Sequence, residues 1–221
     1  RAYQWLSKYI CNNTFHEPIG ASWEYTRNHS GHVLLTNVLW IQTVRSMELL
    51  ACVLKDTRQE NLFRNKHAAI KAKWVPNIYK TQETLPRILA IIWNHVPDDF
   101  VESFNQELQT DHVPLRTAGP EKFKATWNAS IRGEADLHRT IVWPWIGFFW
   151  MIILVRKHKR TLAQVWWTKY MQYHHKPTLY SIYDKDTGEP IRRAYVKSMP
   201  ADSITLSMHL TACQYLHGTP V

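Results

Sequence analysis

The feature that most constrains this chain is a run of sixteen residues without a charged side chain, Thr140 to Val155 (TIVWPWIGFFWMIILV). As an α-helix the run is about 24 Å long, against about 30 Å of hydrocarbon in a bilayer. Arg139 and Arg156 at its two ends can reach toward the lipid head groups and narrow that gap. The run therefore predicts a single transmembrane helix over residues 140–155.

The residues around this run fit the same interpretation. Two tryptophans near one edge are typical of an aromatic belt, and the basic cluster RKHKR follows the run directly. Anionic lipids such as cardiolipin attract such a cluster. The expected contacts with lipid head groups and the interface come from Arg139, Trp143, Trp145, Arg156, Lys157, Lys159 and Arg160. The alternative is a core helix buried on all sides by protein, since sixteen residues fit either environment.

The remainder of the chain predicts a mostly α fold. The segment HVLLTNVLWIQTVRSMELLACVLK, residues 32–55, carries Arg45 and Glu48 near its middle, where two charges make a membrane span costly. It predicts a buried helix of a bundle, with these two side chains paired at i and i+3. Further helices are predicted over 2–11, 58–74, 87–95, 98–109 and 203–216, with a turn at 183–188.

The helix predicted over 58–74 is amphipathic and basic. Phe63, Ile70 and Trp74 share one face by the 3.6-residue period. Its other faces carry Arg58, Arg64, Lys66, Lys71 and Lys73. Such a face is usually only solvated, and a polyanion site is the sharper alternative.

A break at Ala118-Gly119-Pro120 divides the chain. It predicts a helical soluble region over 1–118, followed by a pre-membrane helix over 119–139. The transmembrane helix over 140–155 comes next, and a short basic, aromatic-rich tail follows over 156–221. Residue 1 is Arg, so either a targeting segment has been removed, as in a processed organellar protein, or the sequence is a fragment of a longer chain.

Composition narrows the class of partner. The formal net charge of +9 favours RNA, anionic lipid or a large acidic assembly. Seven glycines argue against a Gly-rich phosphate loop. The three cysteines, Cys11, Cys52 and Cys213, lack the paired spacing of a zinc module or a disulfide framework and predict buried free thiols.

The chain contains no motif with recognisable catalytic chemistry. It has no Gly-x-Ser-x-Gly, Walker loop, dinucleotide fingerprint or His-Glu-x-x-His. Glu134 and His138 lie on one helical face but are read as a surface pair, and Asp98-Asp99 as a helix start. The sequence thus predicts a non-enzymatic protein without cofactor or metal.

The segment over 121–193 resembles the subunit IV family of mitochondrial cytochrome c oxidase. The segment contains EKFKATWNASIRGEADLH before the apolar run. After the run it contains, in the same order as the family, Trp167, Met171, Pro177 and Tyr183-Asp184. The usual Trp before that Asp is Tyr183 here, the spacing departs by short gaps, and the first 120 residues show no match.

The resemblance implies a non-catalytic accessory subunit of a respiratory-chain complex in the inner mitochondrial membrane, holding no haem or copper. Its partners would be other subunits of that complex and anionic lipid. Two alternatives stay open: an RNA-bound mitochondrial ribosomal subunit, and an accessory subunit of another inner-membrane complex such as complex I or ATP synthase. A third is a membrane enzyme with a site among its twelve histidines.

Overall fold

The computed structural model describes residues 7–16, 33–81, 83–109, 141–173, 178–184, 186–192, 197–200 and 202–218. These residues form seven α-helices, a short 3₁₀ helix at Ser7–Tyr9 and four two-residue strands. The helices are α1 (Leu34–Val53), α2 (Thr57–Lys80), α3 (Thr84–Ile92), α4 (Asp98–Gln109), α5 (Pro144–Arg156), α6 (Arg160–Tyr173) and α7 (Ser203–His217). The strands are β1 (Ile10–Cys11), β2 (Thr14–Phe15), β3 (Ile141–Val142) and β4 (Tyr183–Asp184).

The chain divides into two compact units. Unit 1 comprises Arg1–Thr81 and Leu85–Pro97, and unit 2 comprises Gln82–Thr84 and Asp98–Val221. The helices predicted over 32–55, 58–74, 98–109 and 203–216 are confirmed as α1, α2, α4 and α7. The helix predicted over 87–95 begins and ends three residues earlier, as α3. The pre-membrane helix predicted over 119–139 lies outside the described residues.

Unit 1 is built on α1 and α2, which pack against each other as a helical hairpin. Its core joins buried residues of both helices: Trp40, Ile41, Val44 and Ala51 from α1, and Phe63, Ile70 and Trp74 from α2. The face of α2 predicted from its 3.6-residue period is therefore the buried one. The helix continues through Pro76, whose ring is exposed to solvent, and ends at Lys80.

A β-hairpin closes one side of this core. Asn12 and Asn13 both have positive φ, 48° and 60°, as a two-residue type I′ turn between β1 and β2 requires. The buried Asn37 side chain of α1 accepts from the Phe15 N–H (2.8 Å) and donates to the Phe15 carbonyl (3.1 Å). The helix predicted over 2–11 is wrong at its described end, because the Asn-Asn turn folds Ile10 and Cys11 into a strand instead.

Unit 2 is arranged around α5. The helices α6 and α7 both pack against α5. From α4, Phe104 meets Trp150 edge to face, with ring centroids 5.3 Å apart. Gly147 permits the closest approach, since a Cβ there would lie 2.0 Å from the Tyr170 hydroxyl oxygen of α6. Nine of the thirteen α5 residues are buried, so protein covers this helix on several sides.

The transmembrane helix predicted over 140–155 is wrong. Ile141 and Val142 pair with β4 as a strand, Trp143 is extended, and the helix begins only at Pro144. At thirteen residues α5 is about 20 Å long, well short of a bilayer core. Among the described residues, no helix combines the length and apolar character that a membrane span demands. The part of the charge-free run that forms α5 is buried mainly by other residues of the chain.

A small sheet lies beside α5 in unit 2. Strands β3 and β4 are antiparallel, with Val142 opposite Tyr183. Ile141, Ile182 and Ile191 form its apolar cluster, and Trp143 packs against them. The turn predicted at 183–188 is confirmed: Asp184 Oδ1 accepts from the backbone N–H groups of Asp186 (2.9 Å) and Thr187 (3.1 Å).

Candidate functional site

The connection between α1 and α2 is short and fixed by backbone hydrogen bonds. Lys55 has a positive φ of 58°, its N–H donates to the Cys52 carbonyl (3.0 Å), and the Asp56 N–H donates to the Ala51 carbonyl (2.9 Å). This is a Schellman motif with lysine where glycine is commoner. Asp56 then begins α2, because its carboxylate accepts from the Gln59 N–H (3.0 Å). The two helix ends therefore lie together.

Inside the helical hairpin lies a buried carboxylate, Glu48. Arg45 Nη1 lies 2.6 Å from its Oε2, as the i, i+3 spacing predicted, and Arg64 Nε of α2 lies 3.4 Å from its Oε1. Burial alone would raise the pKa of Glu48, but the hydrogen bonds and charges of Arg45 and Arg64 outweigh it and lower the pKa. Glu48 is thus ionised at neutral pH and ties α1 to α2.

Two histidines extend this cluster. His67 Nδ1 of α2 lies 3.8 Å from Glu48 Oε2, and the rings of His67 and His95 have centroids 6.0 Å apart. His95 is 3% exposed and follows α3, where Asn94 adopts a positive φ and the His95 N–H donates to the Ala90 carbonyl. Both Nε2 atoms are buried and make no hydrogen bond within the described structure.

Both histidines are neutral at pH 7. Burial is the largest of the causes that lower the pKa of His95 to about 4, and the electrostatic effects of His67 and Lys71 act in the same direction. Burial also lowers the pKa of His67; Arg45 and Lys71 add to that effect and Glu48 opposes it. Protonating either ring would add a positive charge to a cluster in which the cations Arg45, Arg64 and Lys71 already outnumber the carboxylates Glu48 and Glu60.

This cluster is poorly suited to hold a metal or to act as a base. The cations Arg45, Arg64 and Lys71 would repel a divalent metal ion. In the part of the chain that the structure describes, no group of three or more His, Cys, Asp or Glu side chains is arranged to hold one. The 3.8 Å from His67 Nδ1 to Glu48 Oε2 exceeds a hydrogen bond, so the imidazole is not oriented by the carboxylate. The cluster holds the hairpin together.

The end of the helical hairpin exposes aliphatic side chains. We define the hairpin tip as Leu49, Leu50, Val53, Leu54 and Leu62, which are between 49% and 77% exposed. Glu48 contacts Arg64 and His67, so the last turns of α1 and the first turns of α2 lie at the same level, and these five residues share one end of the unit. Cys11 and Cys52, predicted to be buried, are also exposed, Cys52 within the tip segment.

The charged residues of this end fall into two groups. Both carboxylates have partners within the chain: Asp56 accepts a hydrogen bond from the backbone at the start of α2, and Glu60 forms an ion pair with Arg64. The cations Lys55 and Arg58 are exposed, and neither forms an ion pair with a carboxylate of the described residues. An apolar surface bordered by two available positive charges results.

Three of the seven residues predicted to contact lipid head groups form ion pairs or hydrogen bonds within the chain. Lys157 pairs with Asp98 (2.7 Å) and Lys159 with Glu102, both on α4. Arg160 donates to the carbonyl oxygens of Tyr215 (3.2 Å) and Leu216 (3.5 Å) at the end of α7. The hydrogen bond from Lys157, together with its charge, lowers the pKa of Asp98. The basic cluster thus joins helices within unit 2.

The other predicted lipid contacts are placed differently. Trp143 is half-buried in the small sheet and Trp145 is half-buried in the first turn of α5. Arg156 is exposed at the end of α5. Arg139 lies outside the described residues. Of the six described residues, two lie at the start of α5 and four lie at or just beyond its end.

Sequence reasoning missed both the histidine pair and the hairpin tip. His67 and His95 are 28 positions apart, and no local pattern connects them. One feature of the sequence could have predicted exposed leucines on α1. Ile41 and Val44 are fully buried, and Leu39 and Leu50 lie off the helical face that carries them.

Comparison with known proteins gives no family for this chain. No protein-family model matches it, and no curated protein matches its sequence. The resemblance of residues 121–193 to cytochrome c oxidase subunit IV stays a prediction. A function has to be argued from the described surfaces themselves.

Proposed function

We propose that this protein is a non-catalytic subunit of a larger assembly and that the hairpin tip is the surface by which it docks onto another protein. The observation that carries the proposal is the group of five exposed aliphatic side chains at one end of a well-packed helical hairpin. Monomeric proteins rarely leave contiguous apolar patches beyond a few hundred Å² in solvent, and larger ones mark interaction sites.

The energetics of the tip agree with this role. Burying five half- to three-quarters-exposed aliphatic side chains contributes on the order of 10 kcal/mol before the entropic cost of association. Hot spots of this kind combine an apolar centre with a polar edge. The buried polar groups of unit 1 stabilise the hairpin, so the tip is presented on a rigid support.

The identity of the parent assembly is a separate matter. The respiratory-chain and inner-membrane assignments rest on the resemblance of 121–193 alone, and the transmembrane helix that was central to it is absent from the described residues. We retain a mitochondrial respiratory complex as the proposed assembly, with contact through protein surfaces in place of that helix.

One observation favours a second candidate, an RNA-bound subunit such as a mitochondrial ribosomal protein. Arg58, Lys71 and Lys80 of α2 form no ion pair with the described carboxylates. Such cations would contact phosphates, and binding would weaken steeply with salt. This candidate is excluded if the protein does not bind RNA at low salt, or if its binding to RNA does not weaken as the salt concentration rises.

The docking proposal is tested by placing charge on the tip. Val53→Glu together with Leu54→Glu introduces two carboxylates at the most exposed tip positions, 77% and 68%. On native gels of cell extracts we expect the wild-type chain to migrate with a large complex and the double variant to migrate alone, because a desolvated charge costs several kcal/mol at an apolar interface.

A matched control lies on α7 of unit 2. Ile204→Glu together with Leu210→Glu alters two aliphatic residues that are 55% and 67% exposed. This variant is expected to stay in the complex, and circular dichroism checks that both variants are folded. The proposal is contradicted if the tip variant remains in the complex, or if the wild-type chain migrates alone.

A further inference from the structure

We infer that the partner surface recognised by the hairpin tip is a protein surface with an apolar centre and carboxylates at its edge. This inference rests on the proposed function and adds the chemistry of the partner. The tip supplies the complement of that pattern: aliphatic side chains at the centre, with Lys55 and Arg58 beside them.

The turn between α1 and α2 leaves two cations at the edge of the tip without an ion pair among the described residues. Asp56 is occupied by the Gln59 N–H at the start of α2, and Glu60 is occupied by Arg64. Lys55 is held in its left-handed conformation at the end of α1, and Arg58 follows in the first turn of α2. Lys55 and Arg58 are therefore the cations of this edge that form no ion pair with a described carboxylate.

A second copy of this chain fits the tip poorly. A symmetric dimer through the tip would bring Lys55 and Arg58 of both copies into one interface. Each chain also carries a formal net charge of +9. Like charges across an interface oppose association, and an acidic partner avoids this cost.

Nucleic acid fits the tip poorly as well. Single strands are held by aromatic rings on which bases stack, with cations along the backbone. The tip offers leucine and valine in place of aromatic rings. Binding of phosphates by Lys55 and Arg58 would leave those aliphatic side chains in water, whereas an amphipathic acidic helix would cover them and meet both cations.

The inference is tested with designed peptides as probes. One is an amphipathic helical peptide of roughly 20 residues with a leucine face flanked by glutamates, and the other replaces each glutamate with lysine. Fluorescence anisotropy of each labelled peptide against the full chain gives the two affinities. We expect the Glu peptide to bind about tenfold more tightly than the Lys peptide, with a difference that shrinks in high salt.

Charge reversal at the edge gives the decisive variant. Lys55→Glu with Arg58→Glu is expected to reverse the preference, so that the Lys peptide binds better. The matched control is Arg192→Glu with Lys197→Glu, an exposed Arg and Lys that face each other as an isolated β-bridge in unit 2. The control is expected to keep the wild-type preference for the Glu peptide.

Each other outcome overturns the inference. Equal affinity for the two peptides, a preference that the reversal leaves unchanged, displacement of the Glu peptide by single-stranded RNA, or self-association through the tip in sedimentation experiments would each do so. The docking proposal is tested separately: if Val53→Glu with Leu54→Glu abolishes the native complex while the charge reversal does not, the docking proposal holds and the inference of an acidic partner fails.

Discussion

The helices α1 and α5 are both rich in large apolar residues but have different surroundings. Both carry large apolar residues on opposite sides, so neither has a continuous polar face. In α5, nine of thirteen residues are buried, because α6 and α7 pack against it and Phe104 of α4 covers Trp150. In α1, eight of twenty residues are buried, and its described packing partners are α2 and a β-hairpin.

The difference shows what an all-apolar helix requires. A helix that is apolar all round is stable only when every side is covered. The chain supplies that cover to α5 from distant helices, and it leaves the outer leucines of α1 in solvent. We interpret α1 as a helix whose outer leucines are covered by another protein, and α5 as one that is covered mostly within this chain.

The largest effect expected from this comparison is in the core of unit 2. Trp150 is fully buried, and Trp150→Ala should lower the free energy of unfolding by about 3–5 kcal/mol. On α1, Val53→Ala at a 77% exposed position should change it by less than about 0.5 kcal/mol. Urea denaturation followed by circular dichroism measures both values. A loss at Val53 comparable to that at Trp150 would show that the tip is already covered.

A somewhat smaller effect is expected from acidifying unit 1. The folded pKa of His95 is about 4, below its ordinary value of 6.5, so the folded state binds fewer protons than the unfolded state between these values. The associated stability is fully present above pH 6.5 and is lost as pH falls toward 4. Between about pH 7 and about pH 4.5 the wild type should lose about 2.5 kcal/mol through His95.

The variant His95→Gln separates this contribution from the others. Burial lowers the pKa values of His67 and His209 too, so some slope remains in the variant. The pKa of Glu48 is lowered in the folded state, so its contribution to stability is lost only as the pH falls below the ordinary Glu pKa of 4.5. Unfolding free energies measured at several pH values should therefore give a flatter profile for His95→Gln. An identical slope in both proteins would mean that His95 is not buried beside His67.

Local signals predicted much of the secondary structure. The acidic start at Asp98-Asp99 located α4 to the residue, and the i, i+3 spacing of Arg45 and Glu48 predicted their ion pair. The apolar period of 58–74 gave the buried face of α2. These features are determined by residues within a few positions of one another, so a sequence carries them directly.

The transmembrane prediction failed because the cover of α5 is not local. A charge-free run is equally compatible with lipid and with protein around it, and the covering side chains Phe104, Tyr170 and His209 come from three other helices. The RKHKR cluster was misleading for the same reason, since its partners Asp98 and Glu102 are almost 60 positions away. The contact of His67 with His95 likewise depends on tertiary structure.

The most direct test of the docking surface uses a cysteine that the chain already has. Cys52 is exposed in the tip segment, and Cys11, also exposed, serves as the internal control. Maleimide labelling of the purified chain should modify both thiols. In native cell extract, the account predicts that Cys52 is protected while Cys11 is still labelled, and equal labelling of Cys52 in both preparations would contradict it.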